Sequence, residues 1–200
     1  HRARFLDTNS TTLCRKFERP EWDGEPLTGK SILLWPDQGL GDALRSGTII
    51  PDLLETGARV LIELPPKIRE AFAFSFPEIE IRPTAFDSAT MMAQTHDYDF
   101  HCSLTDLAKF YRRSHEDFEK AKFPAFTFDA KRAREYLHRL NGYEEKPIVG
   151  ISWRSKNLAE YRARYYLSAP EISPILEFDD VIYVNLQYLS IERERDYLAQ

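Results

Sequence analysis

The sequence predicts an α/β protein built on parallel strands, and three observations carry that prediction. Short apolar runs alternate with segments of helical periodicity from Ser31 onward. Strands and helices alternating at this spacing predict a parallel sheet with right-handed crossovers. A glycine turn, Gln38-Gly39-Leu40-Gly41-Asp42, joins the first apolar run to the first helical segment. The pattern then restarts after Gly142 with a second strand and a polar, basic turn. Together these read as a doubly wound α/β domain followed by the beginning of another.

Residues 1–26 form an irregular lead-in, with Pro20, Glu21, Trp22, Asp23, Gly24 and Pro26 breaking any period. The first strand is 31–35 and the first helix 42–56, with Gly57 as its stop. Pro51 inside that helix should kink or split it, because proline removes a hydrogen bond. A strand at 59–64 leads to a helix at 66–75 that opens on Pro66, and a strand at 78–82 follows Pro77. Residues 84–97 read as a loop with a short helix, 98–102 as a fourth strand, and 103–107 as a capped helical turn. Residues 113–128 are loop-like, with Phe118, Phe123, Phe126 and Phe128 expected to anchor onto the core. Ala130 to Leu140 is a basic amphipathic helix ending at Asn141-Gly142.

Beyond it lie a strand at 147–151, a polar turn at 152–157, a helical segment at 171–177, a strand at 181–186 and a helix at 191–199. The expected organisation is therefore a lead-in (1–26), an N-terminal α/β domain (27–128), a connecting helix and linker (129–146), and the incomplete beginning of a second, C-terminal α/β domain (147–200). The lack of an initiator Met suggests that the chain is cut from something longer.

Composition narrows the function. The chain is 42% hydrophobic and 13% aromatic, enough for a packed core. A net charge of −5 argues against nonspecific nucleic-acid binding. No run approaches the roughly 20 apolar residues of a membrane helix, and no apolar stretch near the N-terminus makes a signal peptide. Cys14 and Cys102 stand far apart, which fits free thiols in a reducing cytosol and a cytoplasmic protein. His96, His101, His115 and His138 lack the spacing of a zinc site, so no metal is expected.

Two constellations carry chemistry. In the glycine turn, Gly39 and Gly41 can take positive φ and let a ligand approach the backbone. Ligands of open α/β sheets bind just outside the carboxyl ends of the strands. Asp42 would face such a ligand, but Asp is also a preferred helix N-cap, and spacing leaves both readings open. The turn lacks the third glycine of a dinucleotide fingerprint, although Glu63 lies at about the distance of the acidic ribose partner. In the second constellation, Arg154, Lys156, Arg162 and Arg164 follow the strand at 147–151 together with Ser152 and Ser155. Arg by two-point contact and Ser by its hydroxyl suit a phosphate or pyrophosphate. The plainer reading is a solvated loop balanced by Glu144, Glu145 and Glu160.

In order along the chain stand Pro20-Glu21-Trp22-Asp23-Gly24-Glu25-Pro26-Leu27, Gln38-Gly39-Leu40-Gly41-Asp42, Ser75-Phe76-Pro77, Cys102-Ser103-Leu104, Gly150-Ile151-Ser152-Trp153-Arg154-Ser155 and Asn185-Leu186-Gln187-Tyr188. This series resembles the bacterial tetratricopeptide-linked glycosyltransferase-like family, related to heptosyltransferases and O-linked N-acetylglucosamine transferases. The resemblance implies a GT-B architecture of two Rossmann-like domains facing each other across a cleft. It also implies metal-independent transfer of a sugar from a nucleotide-sugar donor, a substrate rather than a cofactor, to a protein, glycan or glycolipid acceptor. Asp42 matches the relatives' proposed general base, with Gln38, Gly39, Leu40 and Gly41 shaping the acceptor-side turn. Ser152, Arg154, Ser155 and Lys156 would lie near donor or acceptor phosphates. Members commonly carry Glu where this chain has Asp37, and their main donor-binding segment would lie beyond Gln200. The alternatives from other classes are a non-catalytic module binding carbohydrate or a partner, and a nucleotide-dependent oxidoreductase.

Overall fold

The strand Ser31–Trp35 (β1) is buried over four of its five residues, because a central parallel strand is covered on both faces. It lies in a four-stranded sheet with Arg59–Glu63 (β2), Glu80–Arg82 (β3) and Phe100–Ser103 (β4), in the order β3-β2-β1-β4. Every pairing is parallel, with Ile32 opposite Val60 on one side and opposite Phe100 on the other. This computed structural model describes residues 15–140, 146–155, 163–188 and 192–198. The chain separates into two compact units, His1–Ala130 and Lys131–Gln200.

In the first unit the chain steps from β1 to β2 to β3, then returns to the opposite side of β1 to form β4. That reversal is a topological switch point, and ligands of open α/β sheets enter at the crevice outside the carboxyl ends of the strands there, here β1 and β4. One sheet face carries the main core, where Ile32, Leu34, Val60 and Ile62 pack with Phe72, Leu104 and Leu107. The other face is smaller, with Leu33, Leu61 and Tyr98 covered by Phe17.

The expected helix at 42–56 is two helices, Leu40–Gly47 (α1) and Ile50–Leu54 (α2). Pro51 lies in the first turn of α2, where its missing N–H costs nothing. Gly57 ends the segment at φ +73, a conformation that side chains with a Cβ rarely adopt. The helix Pro66–Ser75 (α3) keeps its expected bounds. After β4 a 3-10 turn, Leu104–Leu107, runs into Ala108–Tyr111 (α4).

Two expectations need correction. The described part of the lead-in is less irregular than its composition suggests, because it pairs with the sheet edge. The Trp22 amide donates to the His101 carbonyl at 2.9 Å, and the His101 amide donates to the Pro20 carbonyl at 3.1 Å. The loop at 113–128 contains a short helix, His115–Glu119 (α5), closed by a Ser114/Asp117 capping box. Of its four phenylalanines only Phe126 packs inward, edge-on to Phe72 and Phe76. Phe118, Phe123 and Phe128 are exposed by 56%, 63% and 74%.

The second unit holds the helix Ala130–Arg139 (α6), which begins at the unit boundary, and a parallel pair, Ile148–Ile151 (β5) with Ile182–Asn185 (β6). Between these strands lie Ala169–Ile172 (α7), capped by Ser168 and Glu171, and a 3-10 turn at Ser173–Glu177. Glu192–Leu198 (α8) follows β6. Trp153, Ala169 and Ile172 are buried here, while the strands themselves stay largely accessible. The expected helix end at Asn141-Gly142 lies outside the described residues.

Candidate functional site

The turn after β1 sits at the mouth of the β1/β4 crevice. Asp37, 1% exposed, accepts the Thr105 hydroxyl at 2.7 Å and the Thr105 amide at 3.4 Å. This buried carboxylate ties the turn to the segment that follows β4, and a polar group so deep would be costly without such partners. Gln38 is half-buried, whereas Gly39, Leu40 and Gly41 are exposed.

Neither glycine uses the conformation expected of it. Gly39 is the N-cap of α1 in extended backbone, φ −69 and ψ 173, and Gly41 is helical. A Cβ added at Gly41 would meet nothing within 4 Å, and one at Gly39 would touch only Asp42, at 3.6 Å. What both glycines leave is open space above the backbone.

Asp42 is the third residue of α1, not its N-cap, so the capping alternative fails on geometry. Its Oδ1 accepts from Arg45 Nη2 at 3.0 Å, and its side chain is 38% exposed. A carboxylate in the first turn also faces the positive end of the α1 dipole. Asp42 is thus an accessible carboxylate beside the crevice, held in orientation by an i,i+3 partner.

Glu63, the acidic residue that a dinucleotide site would require, is fully buried. Its Oε2 accepts from Arg15 Nη1 at 2.6 Å and from the Ala85 amide at 3.2 Å. Arg15 lies over the rings of Phe17, Trp35 and Phe86 at 4.9, 5.8 and 5.2 Å. Glu63 is therefore the counter-ion of a buried guanidinium, and the oxidoreductase alternative loses its ribose partner. Beside this pair, Trp35 Nε1 donates to His101 Nδ1 at 3.3 Å, and Phe17 stacks on the imidazole at 3.8 Å. Burial, aided by the Arg15 charge, pushes the His101 pKa down to about 4.

A hollow of about 790 Å³ in the same unit is lined by Trp22, Asp23, Glu25, Lys109, Phe110 and Arg113, among others. The glycine turn contributes nothing to its walls. The turn is the candidate site because of the strand order, not the size of a hollow.

In the second unit the loop after β5 is organised by one amide. Gln187, 7% exposed, accepts at Oε1 from the Trp153 and Arg154 amides, each at 3.0 Å, and from the Ser152 hydroxyl at 3.3 Å. Its Nε2 donates to the Arg154 and Tyr188 carbonyls, both at 2.9 Å. The loop ends of β5 and β6 are locked together in this way. Arg154 Nε and Nη2 donate to the two carboxylate oxygens of Glu194 on α8, at 2.8 and 2.7 Å. Ser152 and Ser155 are exposed. Lys156 and Arg162 lie outside the described residues, and Arg164 stands over the Tyr165 ring at 5.1 Å.

Sequence reasoning gave Gln187 and Glu194 no role. Both act across the fold on a loop more than thirty residues away, and no local pattern marks such a contact. Among the described residues no group of three or more His, Cys, Asp or Glu could hold a metal ion. No helix among them is long and apolar enough to cross a membrane.

Fold and site together define an α/β protein whose parallel sheet is compatible with the Rossmann-like class. No family model matches the chain, and no solved structure matches it significantly. It is similar to Protein FlbA of Caulobacter vibrioides, at 29% identity over 193 residues that cover 90% of this chain. The chain spans about a third of that relative, 32% of its length.

Proposed function

We propose that the chain acts in a cytoplasmic, metal-independent glycosyltransferase of GT-B type. It would move a sugar from a nucleotide-sugar donor to a hydroxyl of a protein, glycan or glycolipid. The observation that supports this reading best is Asp42, an accessible carboxylate in the first turn of the helix after β1, where the strand order reverses between β1 and β4. In the reaction the acceptor oxygen bonds to the anomeric carbon as the bond from that carbon to the diphosphate breaks. The bonding pair leaves with the nucleoside diphosphate, and the acceptor's proton passes to the Asp42 carboxylate. Gln38, Gly39, Leu40 and Gly41 border the acceptor. The hydroxyls of Ser152 and Ser155 donate to the departing diphosphate, and Arg154 and Lys156 offset its charge.

The test is release of nucleoside diphosphate from UDP-, GDP- and ADP-sugars with glycan, glycolipid and protein acceptors. Asp42→Asn should lower turnover by about 10²- to 10⁴-fold with an unchanged thermal melt. Turnover that survives this change would leave Asp42 as no more than the partner of Arg45. A second reading, a non-catalytic carbohydrate- or partner-binding module, draws support from the engagement of Arg154 by Glu194. Absence of release by the wild type across the whole panel would favour it.

A further inference from the structure

We propose that the Glu194 carboxylate holds the place of a diphosphate on Arg154, and that a nucleoside diphosphate enters by exchanging with it. The inference rests on the reading of the loop after β5 as a phosphate contact. Arg154 meets Glu194 through two parallel bonds, from Nε and Nη2 to separate carboxylate oxygens. A guanidinium offers this same fork to carboxylates and to phosphates. The two side chains keep 12% and 17% of their surface exposed, so the pair is within reach of a solute.

The backbone under Arg154 does not depend on Glu194. Gln187 holds the Trp153 and Arg154 amides and the Arg154 carbonyl. Exchange therefore replaces the carboxylate on the guanidinium while Gln187 keeps its hold on the backbone. A diphosphate carries more negative charge than one carboxylate and competes well for the same fork. Glu194 acts as an internal competitor that weakens binding and is repelled once the diphosphate is seated.

Calorimetric titration of the chain with UDP, GDP, ADP and inorganic pyrophosphate tests this. Glu194→Gln should tighten binding roughly fivefold, the effect of removing a partly exposed ion pair. Glu192→Gln, which removes a charge from an exposed position on the same helix, should leave affinity near the wild-type value. Arg154→Ala should abolish binding. Binding seen only in Glu194→Gln would also support the exchange. If the wild type binds and Glu194→Gln binds no tighter than Glu192→Gln, the exchange is overturned while the phosphate reading stands. If neither the wild type nor Glu194→Gln binds any of the four, the phosphate reading falls and takes the exchange with it. Should Glu194→Gln fold poorly, the carboxyl carbon resonance of Glu194 in the wild type decides. It should move along the same saturation curve as nucleotide binding, and a resonance that stays still as nucleotide binds rejects the exchange.

Discussion

Burying a charged side chain is costly, and Glu63 and Arg15 together show how the first unit meets that cost. Both side chains are within 1% of full burial, and the guanidinium adds aromatic faces to its ion pair. Removing one member strands the other, so Glu63→Gln should destabilise the protein by about 3–5 kcal/mol in urea denaturation. The double change Arg15→Met with Glu63→Leu should recover most of that loss, because apolar pairs of similar volume often replace buried ions without penalty. Failure of the double variant to recover would mean that the hydrogen bonds to Ala85 matter more than the charges. His101, next to this pair, sets a pH window. Its pKa falls from an ordinary 6.5 to about 4 in the folded chain, through burial first and the Arg15 charge second. Below pH 6.5 the unfolded chain takes up a proton that the folded chain refuses until about pH 4. The contribution is thus intact above 6.5 and drains away between 6.5 and 4. His101→Gln should flatten stability across that interval in denaturant midpoints measured at each pH. Asp97, held down to about 2 by Arg82, acts in a separate and more acidic window, losing its contribution as pH falls from 3.8 through about 2.

At the scale of the element, α1 carries two glycines with opposite constraints. A Cβ at Gly47 would lie 2.7 Å from Phe72 Cζ and 2.8 Å from Phe126 Cζ, so the helix approaches these rings only because Gly47 has no side chain. Gly47→Ala should therefore cost about 1–3 kcal/mol through overpacking, read as a lower melting temperature. Gly41→Ala meets no such wall and removes a flexible residue from a helix, so it should be neutral or stabilising by up to about 1 kcal/mol. If a substrate approaches the backbone here, that same variant loses binding while it gains stability, a split that a purely structural glycine would not give. The contrast also marks what is legible in sequence. Pro51 and Gly57 announced the break and the end of the first helical segment because their effects are local. Gly47 did not, since Phe72 and Phe126 reach it from distant parts of the chain. For the same reason nothing local separated Phe126 from its three exposed neighbours. Alternation of apolar runs located the strands, and the glycine turn located Asp42. Gln187 stood in the Asn185–Tyr188 run that carries the resemblance, but its contacts with the second loop, like those of Glu194, became visible only once β5, β6 and α8 were brought together.

Across the whole molecule the two units differ in how their strands are protected. β1 and the inner residues of β2 lie between the main core on one face and Phe17 with Tyr98 on the other, and Ile32, Leu33, Leu34, Leu61 and Ile62 are fully buried. In β5, by contrast, Ile148 and Val149 remain 46% and 37% exposed, and among the described residues β6 is the one strand paired with it. Amide exchange through local opening follows this kind of difference in burial, because an element with few apolar contacts opens at low free energy. The amides of β1 and β2 should therefore exchange only on global unfolding of their unit, and those of β5 and β6 through smaller, more frequent openings. Native-state hydrogen exchange resolved by residue would read the difference directly, with the greater protection on Leu33 and Leu61 and the lesser on Val149 and Val184. The clamp of Gln187 makes a local exception within the second unit, since the Trp153 and Arg154 amides donate to a buried oxygen. These two should be slower than the β5 amides and should lose their protection in Gln187→Ala. Equal protection of β1 and β5 would overturn this ranking of the two units.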